Sequence, residues 1–428
     1  MKKVAFHTLG CKLNFAESSD LAHKFVQNNY IQVDFKEIAD VYVINTCTVT
    51  QVAEKKCRTA IRQAISHNPD AIIAVIGCFA QLQSEEIAKI EGVDIILGNA
   101  DKHKLFEYIS NKEAFADHWN HVEDISKVSE FVPSYSFSDR TRCFLKIQDG
   151  CDYFCTYCAI PYARGRSRSE TIENTISKAK ELATGGKKEV VLTGVNIGDF
   201  GKHQGENFFG LIKELDKIQE IKRYRISSIE PNLITNEIID FVNTSRAFQP
   251  HFHIPLQAGT DFLLERMKRK YNRELFADRI NYINNAMPNA FLAADIIVGF
   301  PGETEYEFNS TIDFISSLPL AALHVFTYSE RPDSLAKDFD GKVPMNIRKQ
   351  RSLILQQLSN LKKKAFYEKN IGYNASVLWE GDEEKGLMFG FSDNYIRVAR
   401  KYDAKYINQI TKEILTNLHP TKEYFVIE

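Results

Sequence analysis

Short apolar runs alternate with longer amphipathic stretches along the first hundred residues. The runs are VAFHT, VYVIN, AIIAVIG and DIILG, and the stretches between them lie near 17–28, 51–66 and 84–90. Runs of this kind read as strands, and the intervening lengths suit helices, so the order predicts a small α/β domain with a parallel sheet. From Cys143 the alternation resumes with CFLKIQ, EVVLTGV, RYRISSI, HFHIPL, AFLAADIIVGF and AALHVFTY. Six β-α units predict a full or partial barrel, and an open doubly wound sheet fits the same pattern. Ile347, Ile354, Leu358, Leu361 and Ala365, after Pro344 and before Gly372, predict an amphipathic helix packed on that unit. Four strand-like pieces at the end, ASVLWE, LMFGF, NYIRVAR and EYFVIE, predict a small all-β barrel.

The expected organisation is therefore an α/β chain in three parts. Residues 1–115 form the first α/β domain, 116–142 a polar linker ending in FVPSYSFSDRTR, 143–365 a partial (β/α)6 core, and 370–428 the β module. The formal charge of −2 gives no global electrostatic case for a nucleic-acid partner, so any basic surface must be local. The start, MKKVAFHTLGC, lacks the apolar core and cleavage site of a secretory leader. No apolar stretch reaches the ~20 residues of a membrane span. A cytoplasmic location is the expectation, and there eight cysteines suit metal ligation or burial better than disulfides.

The cysteines carry the chemistry. QDGCDYFCTYCAIPYARGRSRSE places Cys151, Cys155 and Cys158 at Cys-x3-Cys-x2-Cys spacing just after a strand, with Gly150 easing the turn. Three thiolates so close can hold a four-iron cluster with one iron left open to substrate, and a zinc site completed by a histidine is the competing reading. Cys11 in HTLGCKLN, Cys47 in VINTCTVT and Cys78 in VIGCFAQ each directly follow a strand of the first domain. Residues beyond strand carboxyl ends converge on one crevice, so these three predict a second open cluster site. Cys57 and Cys143 lack matching partners and read as structural.

The Cys151–Cys155–Cys158 motif resembles that of the radical S-adenosylmethionine superfamily. With TLGCKLN, NTCTVT, GCFAQ, ISSIEP, HIPLQAGT and DIIVGFPGET, the chain resembles the methylthiotransferase family across almost its whole length. GCKLN and YFCTYCAIPYARG most resemble the threonylcarbamoyladenosine (MtaB-like) branch, and the tail resembles a TRAM domain, a small RNA-binding barrel. The resemblance implies methylthiolation of carbon 2 of N6-threonylcarbamoyladenosine at position 37 of tRNA, beside the anticodon. It implies two [4Fe-4S] clusters, two S-adenosylmethionine molecules, and an electron donor such as flavodoxin or ferredoxin. Sister branches act on isopentenyladenosine or a ribosomal protein side chain. A non-catalytic iron-sulfur protein in electron transfer or RNA binding is the reading from another class.

Barrel strand ends should hold the rest of S-adenosylmethionine. Thr193, Gly194 and Asn196 are candidates for its methionine part, and Ser228 and Glu230 for its ribose, although Glu230 also suits a helix cap. Gln257 and Asp295 lie at expected strand ends beside His253, which reads as a structural histidine. Arg164, Arg166 and Arg168 beyond the cluster loop, Arg269 in KRK, and Tyr395, Arg397 and Arg400 in the tail are candidate RNA contacts, with a solvated charged face as the bland alternative.

Overall fold

A computed structural model describes residues 1–110, 119–136 and 141–427. The first domain is a six-stranded, wholly parallel sheet in the order Tyr30–Val33, Lys2–Thr8, Val41–Thr46, Ile72–Gly77, Ile95–Leu97 and Trp119–His121. Two of these strands were not expected. Tyr30–Val33 is a half-polar edge, and Trp119–His121 lies in the stretch read as linker yet pairs in parallel with Ile95–Leu97. The boundary expected at residues 115 and 116 falls outside the described residues. The central strands are buried on both faces, which explains their unbroken apolar runs.

The core holds six parallel strands in sequence order: Arg142–Lys146, Glu189–Thr193, Arg223–Ile226, His251–His253, Phe291–Val298 and Ala322–Thr327. Bridges Tyr224↔Phe248 and Ser228↔His253 join the two halves, and no described pairing links the last strand to the first. The unit is thus an open partial barrel. Side-chain alternation sends Cys143, Leu145, Val190 and Leu192 into the apolar layer under the outer helices, while Phe144 and Val191 take the other face. There they meet Phe15 and Ala16 of the helix Lys12–Gln27, so the first domain fills the space that a closed barrel would fill with its own side chains.

The helix Met345–Lys369 forms, but its buried side is not the stripe expected from the sequence. Arg348, Arg351, Ser352, Leu355, Ser359, Phe366 and Tyr367 face inward, and Leu361 is 67% exposed. The cause is polar. Arg348 pairs with Glu330 and donates to the carbonyls of Val343 and Tyr328, Arg351 pairs with Glu303, and Ser359 bonds both backbone groups of Leu323. A hydropathy pattern counts such arginines as solvent-facing.

The tail is a six-stranded sheet ordered Ile410–Ile414, Asn374–Glu384, Leu387–Ser392, Arg397–Lys401, Phe425–Val426 and Asn417–Leu418. No described pairing joins its two outer strands, so it curls as a half-barrel around Trp379, Met388 and Val398. Buried charges dock it, Glu380 of the module pairing with Arg142 of the barrel. Glu189, fully buried, accepts from Arg223 and Arg225, whose remaining N–H groups donate to the carbonyls of Ser376, Phe391, Ser392 and Asp393. Among the described residues no helix is long and apolar enough to cross a membrane.

The helix register is checked by two substitutions. Leu355→Ala, at a fully buried site, is expected to cost about 2–5 kcal/mol, whereas Leu361→Lys should stay within about 0.5 kcal/mol. Comparable losses in thermal unfolding midpoint for the two would contradict this burial pattern.

Candidate active site

The cluster loop begins at Gly150, whose φ of +68° and close approach to Arg166 exclude a side chain: a Cβ there would lie 2.0 Å from the Arg166 carbonyl oxygen. Buried Gln148 fixes both sides of this turn. Its amide donates to the carbonyls of Asp149 and Gly150, and its oxygen accepts from the N–H groups of Val195 and Asn196. Within the loop, the N–H of Tyr153 donates to Cys151 Sγ at 3.5 Å and that of Ile160 to Cys158 Sγ at 3.4 Å. Arg269 Nη1 lies 3.0 Å from Cys155 Sγ and 3.2 Å from the Tyr157 hydroxyl, and its other arm pairs with Glu230.

The second triad is assembled by loops that touch. Cys11 caps the helix Lys12–Gln27, Cys47 follows Val41–Thr46, and Cys78 follows Ile72–Gly77. A Cβ on Gly10, whose φ is +103°, would lie 3.0 Å from Cys47 Sγ, so only glycine lets the first loop close against the second. Asn14 ties the same loops, donating to Leu9 O at 2.7 Å and Thr46 O at 3.0 Å, and Thr46 Oγ1 donates to Ile76 O at 2.6 Å. Asn99 links the third loop to the other triad: its amide lies 3.6 Å from Cys78 Sγ and donates to Ala163 O at 2.7 Å. Cys57 lies fully buried beneath Cys47, and Cys143 donates to Ser136 O, so both are structural as expected.

The donor sets fit open iron-sulfur clusters better than zinc. Neither triad is among the described groups whose ligand atoms all lie within 4.8 Å of one another, whereas zinc–sulfur bonds of about 2.3 Å bring tetrahedral thiolates to about 3.8 Å. Burial pushes the Cys47 and Cys158 thiols up to about 12 each, so binding metal must displace their protons. Around the first triad, buried Asn196 Oδ1, Asn232 Oδ1 and Ser227 Oγ lack hydrogen-bond partners, a fit for a cofactor rich in N–H and O–H donors. Asn232 was not singled out in the sequence, although it lies two residues past Glu230 and holds the Tyr153 hydroxyl at 2.7 Å.

Cys158 of the first triad lines a cavity of about 220 Å³. Val49 and Thr50, just past Cys47, line it opposite Cys158 and Ala159, with Gln257 and Asp295 at its floor. Gln257 holds a φ of +67°, and its backbone bonds to both Asp295 and Ile297. Asp295 sits inside the strand Phe291–Val298 rather than at its end. Although burial would raise its pKa, hydrogen bonds from His253 and His324 hold its carboxyl well below the usual carboxylate range. Thr193 and Asn196 are buried beside the cluster loop, with Gly194 packed on Gln148. Ser228 bridges the strand of His253.

Three arginines expected on RNA are internal. Arg164 is 1% exposed and binds Glu17, Asp149 and Asn14. Arg168 is held by Asp149 and the carbonyls of Arg164 and Arg166, and Arg269 lies against Cys155. All three are consumed by buried carboxylates or by the cluster loop, which the charge run in the sequence conceals. Arg166 remains exposed over the Phe154 ring, and Arg397 lies half-exposed over Phe389. Arg400 is tied to Glu413 and the Tyr406 ring. Tyr395 stands at the junction of barrel and β module, against His251 and Phe391.

Arg164 belongs to a buried network that spans the two domains. Glu17 accepts from Lys102 at 2.5 Å, Lys146 at 2.9 Å and Arg164 at 3.1 Å, and Asp149 accepts from Lys146, Arg164 and Arg168. Burial would raise the Glu17 pKa, but its three cations hold it well below the usual carboxylate range. The sequence offered no sign of this set beyond the polar residues of KLNFAE.

Residues 3–98 match the family described as "Uncharacterized protein family UPF0004", and residues 145–315 match the radical SAM superfamily. The chain is 42% identical over 435 residues to the threonylcarbamoyladenosine tRNA methylthiotransferase MtaB of Bacillus subtilis, covering 99% of this chain and 96% of that protein. It is 39% identical to the protein of the same name from Aquifex aeolicus, covering 93% and 97%. It is 33% identical to the tRNA-2-methylthio-N(6)-dimethylallyladenosine synthase of Pelotomaculum thermopropionicum, covering 92% and 90%. Among solved structures, the radical S-adenosylmethionine methyltransferase TsrM of Kitasatospora setae, with cobalamin and a [4Fe-4S] cluster bound, aligns with a TM-score of 0.57 at 14% identity. That alignment covers 92% of this chain and 82% of TsrM, and it shows a shared fold.

The junction network yields a pH prediction. A depressed carboxyl pKa gives stability that is present above the unfolded value of about 4.3 and is lost as pH falls below it. Wild-type thermal stability should therefore decline steeply between about pH 5 and 3. Glu17→Gln should already be weaker by about 3–5 kcal/mol at pH 7 and show a shallower acid decline. Parallel curves for the two proteins would refute the assignment.

Proposed function

The chain belongs to the radical S-adenosylmethionine methylthiotransferase family, and from that membership we propose that it replaces the hydrogen at carbon 2 of N6-threonylcarbamoyladenosine in tRNA, at position 37 beside the anticodon, with a methylthio group. The observation that carries the reading is the pair of three-cysteine sites joined through Asn99, whose amide lies 3.6 Å from Cys78 Sγ and donates to the carbonyl of Ala163 just past the Cys151–Cys158 loop. A radical source alone needs one open cluster, whereas inserting sulfur needs a second site close to the activated carbon. When bound, the two [4Fe-4S] clusters supply the electron that releases a 5′-deoxyadenosyl radical from one S-adenosylmethionine, and a seat for the sulfur methylated by another.

Cys151, Cys155 and Cys158 are assigned to the radical site and Cys11, Cys47 and Cys78 to the sulfur site. Asn196, with its unpartnered buried oxygen, suits the cofactor's ammonium beside Thr193 and Gly194. Ser228 and Glu230 suit the ribose, Glu230 being oriented by Arg269. Arg269 keeps a positive charge on Cys155, which favours the thiolate needed for ligation. Gln257 and Asp295 line the space left for cofactor and base, with Val49 and Thr50 on its wall. A flavodoxin- or ferredoxin-type protein is the natural electron donor. Arg166 and Arg397, exposed on the core and the TRAM-like module, suit the RNA backbone.

The dimethylallyl-type relative keeps isopentenyladenosine as a second substrate reading. Profiling tRNA nucleosides with and without the gene decides between them, since the methylthio nucleoside that disappears identifies the substrate. Anaerobically reconstituted wild type should carry about eight irons. Cys47→Ala should carry about four, still release 5′-deoxyadenosine, and make no methylthio nucleoside. Full methylthiolation by Cys47→Ala would overturn the role given to the second triad.

A further inference from the structure

A second, wider cleft has a volume of about 850 Å³. All three parts of the chain line it: Lys12 from the first domain, His251, His253 and His324 from the barrel, and Tyr395 and Arg397 from the β module. Its wall is linked to that of the smaller cavity by hydrogen bonds: Asp295, which lines the smaller cavity, accepts from His253 Nε2 at 2.7 Å and His324 Nδ1 at 3.2 Å, both of which line the cleft. Its size suits a nucleoside with an extended substituent.

Lys12 is the residue in this cleft that the fold does not explain. Other buried lysines have carboxylates, Lys102 on Glu17 and Lys146 on Glu17 and Asp149. The Lys12 ammonium has no ion pair or hydrogen bond among the described residues, although the side chain is largely enclosed where helix, barrel and β module meet. Arg142 and Arg225 add positive charge nearby while Glu380 and Glu189 are taken up by them, and the carboxylate of Asp295, within electrostatic reach of Lys12, is already hydrogen-bonded by His253 and His324. A partly buried ammonium with no ion pair of its own, facing a cleft flanked by cations, suits an anion that arrives with the substrate. His324, half-exposed with Nδ1 engaged by Asp295, can as the imidazolium donate its Nε2–H to the same anion. His251, 7% exposed on the same wall, leaves Nδ1 without a partner.

We propose that Lys12, assisted by His324, binds the threonyl carboxylate of the modified adenosine and so selects that nucleoside over adenosines with a neutral N6 substituent. This rests on the substrate class proposed above. Lys12 directly follows Cys11, so gripping the carboxylate there would hold the base at a fixed distance from the second triad. The other source of a suitable anion is an RNA phosphate, and the two differ in what removing one charge from the base would do.

The test uses reconstituted holoenzyme and two anticodon stem-loop RNAs, one carrying N6-threonylcarbamoyladenosine and one its carboxamide analogue, with Kd measured by fluorescence anisotropy. Wild type should favour the carboxylate RNA by about 10–100-fold, the range expected of a charge-assisted contact. Lys12→Gln should bring the ratio close to one, and Lys12→Arg should keep most of it. Iron content is checked in each protein because Lys12 adjoins a ligand. Should Lys12→Gln lose iron, His324→Ala takes its place and must lower the ratio several-fold. An equal loss of affinity for both RNAs would assign Lys12 to a phosphate and overturn the proposal, as would a wild-type ratio near one. The ratio is read without turnover. Wild type that binds the carboxylate RNA selectively but forms no methylthio product would defeat the functional reading and leave the binding site standing.

Discussion

The arrangement depends on one buried set of charges between the first domain and the barrel. Four cations, Lys102, Lys146, Arg164 and Arg168, surround two carboxylates, Glu17 and Asp149. Such a set is not a cheap source of stability, since removing each charge from water offsets most of the attraction gained. Its value is geometric. Glu17 rides on the helix that starts at Cys11, while Asp149 and Arg164 bracket the loop carrying Cys151, Cys155 and Cys158, so satisfying these charges holds the triads in register. The cations outnumber the carboxylates, and Arg164 lies within electrostatic reach of Cys11 and Cys78, where thiolate ligands would add negative charge.

The open barrel follows from the same junction. A closed parallel barrel fills its interior with layers of its own side chains. Here Phe144, Lys146 and Val191 point instead toward the helix Lys12–Gln27, and the first domain completes the core. Two cysteine triads on separate sheets are thereby brought to one junction by rigid elements. Loops such as 150–158 are pinned by Gln148, Gly150 and backbone N–H groups aimed at sulfur.

A second buried carboxylate helps to hold the β module, alongside the Arg142–Glu380 pair. Glu189 lies at the start of its strand, at the end of the barrel away from the clusters, and orders Arg223 and Arg225 so that they donate to carbonyls of the module. The half-barrel is thereby presented beside the wide cleft, with Tyr395 at the seam against His251. Its contribution to RNA binding is a matter of placement rather than net charge.

The sequence by itself determined the six cysteine positions and most of the strands, because those depend on local spacing and on apolar runs that must be covered, while the half-polar edges Tyr30–Val33 and Trp119–His121 carried no such run. It also determined the methylthiotransferase resemblance, through motifs that sit where glycine, asparagine and cysteine have no freedom to change places. Tertiary structure alone decided which arginines are inside. Arg164, Arg168 and Arg269 look like a basic surface in one dimension, and only the long-range meeting with Glu17, Asp149 and Glu230 makes them internal. For the same reason the buried face of Met345–Lys369 followed Arg348 and Arg351 rather than its leucines. The unpaired ammonium of Lys12 was equally hidden, since a missing partner is a property of everything packed around a residue and leaves no mark on its neighbours in the chain.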